Sequence, residues 1–375
     1  MPAFALEPEQ RRWCASLRTL AQDTLRPLAE RGEPGVVNRP LVRALGEEGL
    51  LARVFPGDGP GVRPAALDLC LLRESLAYGS TEAETALALQ GLGASPVALS
   101  GDPEQWGRWM PEMVAGRAVA AFALSEPEAG SDAAALRLEA RPAGDGWELT
   151  GTKTWISNAP QADFYSVFAR TGEAGPRGVT AFLVPADRPG LGGQPLRMLS
   201  PHPMGRLDLD RVLVGPGDVL GQVGEGFAVA MRTLNLFRPS VGAFAVGMAS
   251  AALDAAVRHA DERTAFGSPL RQLQAVSHQL AEMDTRVEAA RLLVYAAASA
   301  ADRGEDGLAR SAARAKLYAT ETAQFVVDAA VQIHGARALE CGHLLEHLYR
   351  EVRAPRIYEG ATEVQRSIIA KELYR

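Results

Sequence analysis

Leu136-Arg137-Leu138-Glu139-Ala140-Arg141-Pro142-Ala143-Gly144-Asp145-Gly146-Trp147-Glu148-Leu149 is where the chain changes its period. Leu136, Leu138 and Trp147 alternate with polar neighbours, the spacing of a half-buried strand. Ala143 to Gly146 reads as the turn of a hairpin. Phe164 to Ala169, Val179 to Val184 and Leu207 to Val214 follow as further strands, joined by Gly/Pro turns with no long helix between them. Such a series predicts an antiparallel sheet or small barrel over residues 119–222.

On either side the period is helical. Upstream, over 1–118, Trp13, Leu17, Leu20 and Leu25 share one helix face and a second apolar run covers Ala65 to Tyr78. Pro34-Gly35, Gly57 to Gly61 and Gly79-Ser80 punctuate that region as loops. Downstream, over 223–375, Val276, Leu280, Met283, Val287, Ala290 and Val294 step by three and four, as the seam of a bundle helix does. Ala-rich segments at 243–258 and 308–331 add good helix formers. The expected fold class is α+β: an N-terminal helical domain, a middle antiparallel β domain and a C-terminal four-helix bundle.

Composition narrows the function classes. Apolar residues make up 47% and charged residues 22% of 375, the balance of a globular protein. No apolar run reaches the ~18 residues of a membrane span, and the opening MPAFALEPEQRRW lacks the apolar core of a signal peptide. A cytoplasmic protein without a membrane partner is expected. The net charge of −6, with no basic-aromatic stripe, argues against nucleic acid. Cys14, Cys70 and Cys341 fit neither a disulfide framework nor a zinc spacing. His343 and His347 lack an evident third ligand, so no metal is expected.

Four segments carry chemistry. Leu124-Ser125-Glu126-Pro127-Glu128-Ala129-Gly130-Ser131-Asp132 is a loop whose hydroxyls and N–H groups suit a heterocycle edge or a phosphate, although a plain strand-to-turn connection reads the same way. Gly151-Thr152-Lys153-Thr154-Trp155-Ile156-Ser157-Asn158-Ala159 sets an indole beside a hydroxyl. Trp155 would cover a flat ring and Ser157 would bond its rim, or Trp155 is barrel core. In Arg263-Thr264-Ala265-Phe266-Gly267-Ser268-Pro269-Leu270, Arg263 and Phe266 are expected one helical turn apart, able to meet the same ligand. In Arg356-Ile357-Tyr358-Glu359-Gly360-Ala361-Thr362-Glu363-Val364-Gln365-Arg366, the apolar flank of Ile357 and Tyr358 should raise the pKa of Glu359, as a base working near neutrality needs. Thr362 and Glu363 also suit a helix start.

Together, in this order and on this α–β–α pattern, the segments resemble the acyl-CoA dehydrogenase family over essentially the whole chain. The resemblance implies FAD as cofactor, an acyl-CoA thioester as substrate and Glu359 as the catalytic base. It places Leu124, Ser125, Gly130 and Ser131 along the flavin and thioester, and Trp155 and Ser157 on the isoalloxazine. Arg263, Phe266 and Gln274 would reach the FAD of an adjacent subunit in a homotetramer. Gln332 and Gly335 lie where the family's Gln-x-x-Gly-Gly segment meets the cofactor, and Thr362 and Glu363 at its adenosine end. Ser131, Arg238, Tyr358 and Gly360 are expected on the substrate side, with electron-transfer flavoprotein as acceptor. Some relatives carry the base just before an arginine on an earlier bundle helix; here that pair is Phe237-Arg238, which leaves Glu359.

The chain departs from the family's pattern at three places. Ala361 precedes Thr362 after Glu-Gly. Ala336-Arg337-Ala338 replaces the second Gly and the following Asn-Gly. Val214-Gly215 ends a strand that usually ends in Val-Pro, after the unusual PHPMGRLDL (201–209). Rival readings keep the fold and change the partner to an acyl-carrier-protein thioester, which Arg238 does not discriminate, or change the chemistry to an acyl-CoA oxidase or flavin monooxygenase. A scaffold that has lost its cofactor is a fourth reading, and the intact segments argue against it. Gln90, in the stretch Leu87 to Leu99, is expected either to face the acyl tail, favouring a short or polar group, or to face solvent.

Overall fold

The structure is a computed structural model that describes residues 6–374. Residues 1–5 and 375, which belong to the opening segment and to the ends of the first and last expected stretches, lie outside it. In chain order the first helices are α1 (Pro8–Leu20), α2 (Arg26–Ala29), α3 (Arg39–Glu47), α4 (Leu50–Val54), α5 (Ala66–Gly79), α6 (Thr81–Ser100) and α7 (Pro103–Val114). The strands β1 (Ala120–Ala123), β2 (Glu139–Ala143), β3 (Gly146–Ser157), β4 (Phe164–Arg170), β5 (Val179–Pro185), β6 (Leu191–Pro195) and β7 (Met204–Val214) follow. Then come α8 (Gly226–Glu262), a hairpin of β8 (Thr264–Ala265) and β9 (Ser268–Pro269), α9 (Gln274–Asp302), α10 (Leu308–His334), α11 (Leu344–Glu351) and α12 (Thr362–Leu373).

The chain divides into two compact units. One comprises Met1–Arg26, Ala65–Glu84 and Leu236–Arg375; the other comprises Pro27–Pro64 and Thr85–Asn235. The units cut across the three stretches read from the sequence, because α5 shares a core with the bundle. Ala66, Cys70, Leu71 and Ala77 are buried in one cluster with Ala249, Met283, Val294 and Ala323. Small side chains let these helices approach closely: a Cβ at Gly247 would strike the Glu74 carbonyl. The same face is pinned by polar groups, since buried Glu74 accepts from Arg291 at 2.9 Å and from the Tyr295 hydroxyl at 2.8 Å. The apolar window of α8 is long enough to cross a membrane, but it is mostly buried inside the fold, which makes it a core helix.

The second unit is built on a seven-stranded sheet ordered β1-β4-β2-β3-β7-β6, with β5 paired to β4. Most pairs are antiparallel, and the hairpin at Gly144-Asp145 joins β2 to β3 as its Gly content predicts. The sheet is not wholly antiparallel, however: β1 runs parallel to β4, and Glu139 meets Arg170 in parallel register. The long excursion from β1 through the loop at 124–138 returns the chain on the same side of β4, which permits a parallel pair without a crossover helix. Gln90 faces neither solvent nor a tail pocket. It is fully buried, donating to the Ala118 carbonyl at 2.7 Å and accepting from the Ala120 N–H at 2.9 Å, so both ends of its amide are spent on the entry to β1.

Candidate active site

In the second unit two of the sequence segments are stitched together by a buried ion pair. Glu126 accepts the N–H groups of Arg137 at 2.6 Å and Leu138 at 2.9 Å. It also receives the Lys153 ammonium at 2.7 Å, while Lys153 donates to the Leu124 carbonyl at 3.0 Å. The Thr154 N–H reaches the Ser125 carbonyl at 3.0 Å. Burial pushes Lys153 down to about 8, opposed by the Glu126 carboxylate. Leu124 is buried, Ser125 and Ser157 are half-buried, and Gly130 and Ser131 are exposed.

Trp155 is placed by a bulge. The β3–β7 register shifts between Lys153 and Ile156, and Trp155 adopts φ +56°. Strand parity would send its side chain inward with Leu149 and Lys153; the bulge re-aims it outward, leaving the indole 50% exposed. That flat apolar face, uncovered by its own unit and two residues before the half-buried Ser157, fits a planar ring system.

Arg263 and Phe266 are not one helical turn apart. Helix α8 stops at Glu262, and Thr264–Ala265 pairs with Ser268–Pro269. Phe266 and Gly267 at the tip have φ +53° and +81°, as a type I′ hairpin turn requires. Phe266 projects with 94% of its surface exposed. Gln274, which opens α9, is exposed, as is Gln332 in the last turn of α10. Gly335 ends that helix at φ +64°.

In the first unit Glu359 sits in a loop held from three helices. Its own φ is +52° and that of Gly360 is +96°, so two consecutive residues are left-handed, a conformation that costs a non-glycine residue about 1–3 kcal/mol. A Cβ at Gly360 would run into the Gln365 amide, which itself donates to the Gly360 carbonyl at 2.9 Å. Lys316, fully buried in α10, donates to the Tyr358 carbonyl at 3.1 Å and the Gly360 carbonyl at 2.7 Å. Arg238 in α8 donates to the Glu359 carbonyl at 3.3 Å.

The Glu359 side chain has one oxygen, Oε2, buried with no hydrogen-bond partner. Burial raises its pKa, and Arg73, then Lys316 and Arg238, pull it back. The apolar flank expected to do this is only partly in place, because Ile357 is 57% exposed. Desolvation by the helices of the unit supplies the shift instead. Arg73 is itself buried against Glu84 and donates to the Ser240 hydroxyl at 2.7 Å. Phe237 is fully buried, so the alternative base position is filled by core.

Three expected contacts take a different form. Arg238, expected on the substrate side, turns its Nε to the Glu359 loop, and burial lowers its pKa. Tyr358 contributes its carbonyl to Lys316, while burial raises its phenol well above the ordinary range. Thr362 is buried and donates to Glu321 at 2.9 Å, an acceptor that it shares with Arg356. Its hydroxyl is therefore turned inward at the start of α12, whereas Glu363 is exposed.

Sequence models of the acyl-CoA dehydrogenase N-terminal, middle and C-terminal domains match residues 7–117, 121–212 and 224–374. The chain belongs to the acyl-CoA dehydrogenase family. It is 35% identical to the probable acyl-CoA dehydrogenase FadE25 of Mycobacterium tuberculosis, over 99% of this chain and 97% of that protein. Among solved structures it is similar to butyryl-CoA dehydrogenase from Megasphaera elsdenii, with a TM-score of 0.91, 32% identity and full coverage of both chains. It is also similar to the FAD complex of PigA, with a TM-score of 0.91, 27% identity and 99% of each chain covered. As a member of the family it is an FAD-dependent oxidoreductase of acyl-CoA thioesters.

Sequence reasoning missed the buried charged side chains that hold the candidate segments within each unit: Lys153 with Glu126 in one, and Arg73 with Glu84, and Lys316, in the other. A signal existed for two of them. Lys153 shares strand parity with the buried Leu149, and Lys316 lies among Ala313, Ala315 and Ala319 on a buried helix face. Nothing local marked Arg73, whose partner Ser240 is 167 residues away.

Proposed function

We propose that the protein oxidises a saturated acyl-CoA to the trans-2-enoyl-CoA, with Glu359 removing the proton alpha to the thioester carbonyl. The observation that carries this reading is the buried, unpartnered Oε2 of Glu359: a carboxylate with an open acceptor position and a raised pKa is a base awaiting a proton. An alpha C–H becomes acidic only as its carbonyl oxygen takes on negative charge, and the Glu359 N–H is the donor on this chain placed to stabilise that oxygen. Bound FAD supplies the sink for the hydride from the beta carbon. Trp155 and Ser157 would hold its ring, with Leu124, Ser125, Gly130 and Ser131 beside them. Gln332, Gly335 and Glu363 would serve its remaining length, with Thr362 fixing the start of α12 through Glu321. Tyr358 and Gly360 would border the thioester, and Arg238 would act through the base loop.

The exposed hairpin supports a homotetramer in which Arg263, Phe266 and Gln274 serve the FAD of another copy. Electron-transfer flavoprotein as acceptor and a cytoplasmic setting complete the reading. The test is a panel of acyl-CoA thioesters with a ferrocenium acceptor, run on FAD-loaded wild type and Glu359→Gln. Loss of a positioned base predicts a roughly 10²–10⁴-fold fall in kcat with FAD retained. A glutamine variant that keeps full activity removes Glu359 from the mechanism.

A further inference from the structure

We infer that Lys316 is a positioning residue that aims the Glu359 N–H at the substrate's carbonyl oxygen. The inference rests on the proposed alpha-proton chemistry and adds to it a residue that touches neither substrate nor flavin.

The geometry begins with one peptide plane. Among the described residues the only cis bond is Ala159-Pro160, so the Tyr358–Glu359 bond is trans, and its C=O and N–H point in opposite directions. Lys316 holds that C=O at 3.1 Å. The Glu359 N–H must therefore point away from α10, and the structure gives it no acceptor among the described residues. Lys316 also holds the Gly360 carbonyl at 2.7 Å, so one ammonium fixes the peptide before the left-handed Glu359 and the peptide after Gly360, while Arg238 holds the Glu359–Gly360 peptide between them. Of the carbonyls from 358 to 360, the first accepts from Lys316, the second from Arg238 and, at 3.5 Å, from Gln365, and the third from Lys316 and Gln365.

The division of labour makes the claim testable. Gln365 shares the Gly360 carbonyl at 2.9 Å, but only Lys316 holds the Tyr358 carbonyl, the one that shares a plane with the Glu359 N–H. A buried lysine used merely as filler would not need two carbonyl acceptors at hydrogen-bond distance. One placed only for its charge would not need to hold the Tyr358 and Gly360 carbonyls at once.

The readout is the acidity of a bound 3-ketoacyl-CoA. Its C2 proton is lost without any redox step, so the apparent pKa of the bound probe, followed by the ultraviolet absorbance of the enolate, measures stabilisation of the carbonyl oxygen directly. Lys316→Met, purified with FAD, should raise that pKa by about 1–2 units, a 10–100-fold loss of enolate stabilisation. Its kcat should fall by a similar factor with little change in KM. Gln365→Met, which frees the Glu359 and Gly360 carbonyls of one donor and leaves the Tyr358 carbonyl held, should move the probe much less. Lys316→Gln, which keeps two N–H donors on an arm one bond shorter, should fall between the wild type and the methionine variant.

An unshifted probe in Lys316→Met overturns the inference. Equal shifts in the glutamine and methionine variants also overturn it, since they assign the effect to charge. Equal shifts in the Gln365 and Lys316 variants overturn it too, because the Tyr358 carbonyl would then have no special part. If Lys316→Met does not fold, the comparison of Lys316→Gln with Gln365→Met decides: a shift only in the former supports the clamp, and no difference between them sinks it. Failure of the proposed reaction looks different, since Glu359→Gln would then keep activity whatever the Lys316 variants do.

Discussion

The two units solve one problem in two ways. Each presents a candidate site residue from a non-glycine position with positive φ, Trp155 at +56° and Glu359 at +52°. Each secures that strained segment with a buried lysine whose ammonium reaches backbone carbonyls. In the sheet unit the lysine is neutralised by a carboxylate in direct contact, Glu126 at 2.7 Å. In the bundle unit Lys316 touches carbonyls alone, and Glu359 is felt only through space. A contacting carboxylate makes a rigid platform, which suits a surface that only has to be flat. Had Glu359 been the contacting partner of Lys316, its oxygens would be spent and its pKa low, and it could not act as a base. The charge that shapes the loop is kept off the carboxylate proposed as the base.

The sharpest way to break this comparison is to delete the neutralising partner in the sheet. Glu126→Ala strands Lys153 as an uncompensated buried cation and frees the N–H groups of Arg137 and Leu138. A loss of about 3–5 kcal/mol is expected in denaturant unfolding. A small loss would mean that the ion pair is not what joins the two segments.

Gly360→Ala probes the strain in the bundle loop. At φ +96°, with the Gln365 amide in the way, an added methyl should cost about 1–3 kcal/mol and lower activity by more than the stability change explains. Wild-type stability and activity in that variant would show that the loop is not held as tightly as its hydrogen bonds indicate.

The smallest effect is a pH dependence. Burial lowers Lys316 to about 8, below the value of about 10.4 for an exposed lysine. Below pH 8 the group is charged in both states, and the folded protein bears the full cost of burying it. Between about 8 and 10.4 the folded state releases a proton that the unfolded state keeps, so this contribution to stability rises with pH. Lys316→Met should remove the rise in melting curves taken across that range; an unchanged pH profile would place the charge elsewhere.

Much of the fold was legible in local patterns. The hairpin at Gly144-Asp145, the strands that follow it and the seam of α9 were all readable, because period and turn chemistry act over a few residues. The Arg263–Phe266 segment misled because helical spacing on both sides suggested a helical link, whereas the Phe266-Gly267 pair and the pairing of residues 264–265 with 268–269 made a hairpin. Gln90 misled because a polar residue on an apolar helix has no visible partner in sequence; its partners are the backbone of Ala118 and Ala120.

The sequence by itself determined the order of helix, sheet and bundle and the family, since each is written in residue type and spacing; it also put Glu359 forward as the base now proposed. Tertiary structure alone decided the surroundings of Glu359. Lys316, Arg73 and Arg238 come to Glu359 from helices distant in the chain, and burial, the largest cause of its raised pKa, exists only once those helices pack. A carboxylate's basicity depends on solvent and neighbouring charge, and neither is a property of the string of residues around it.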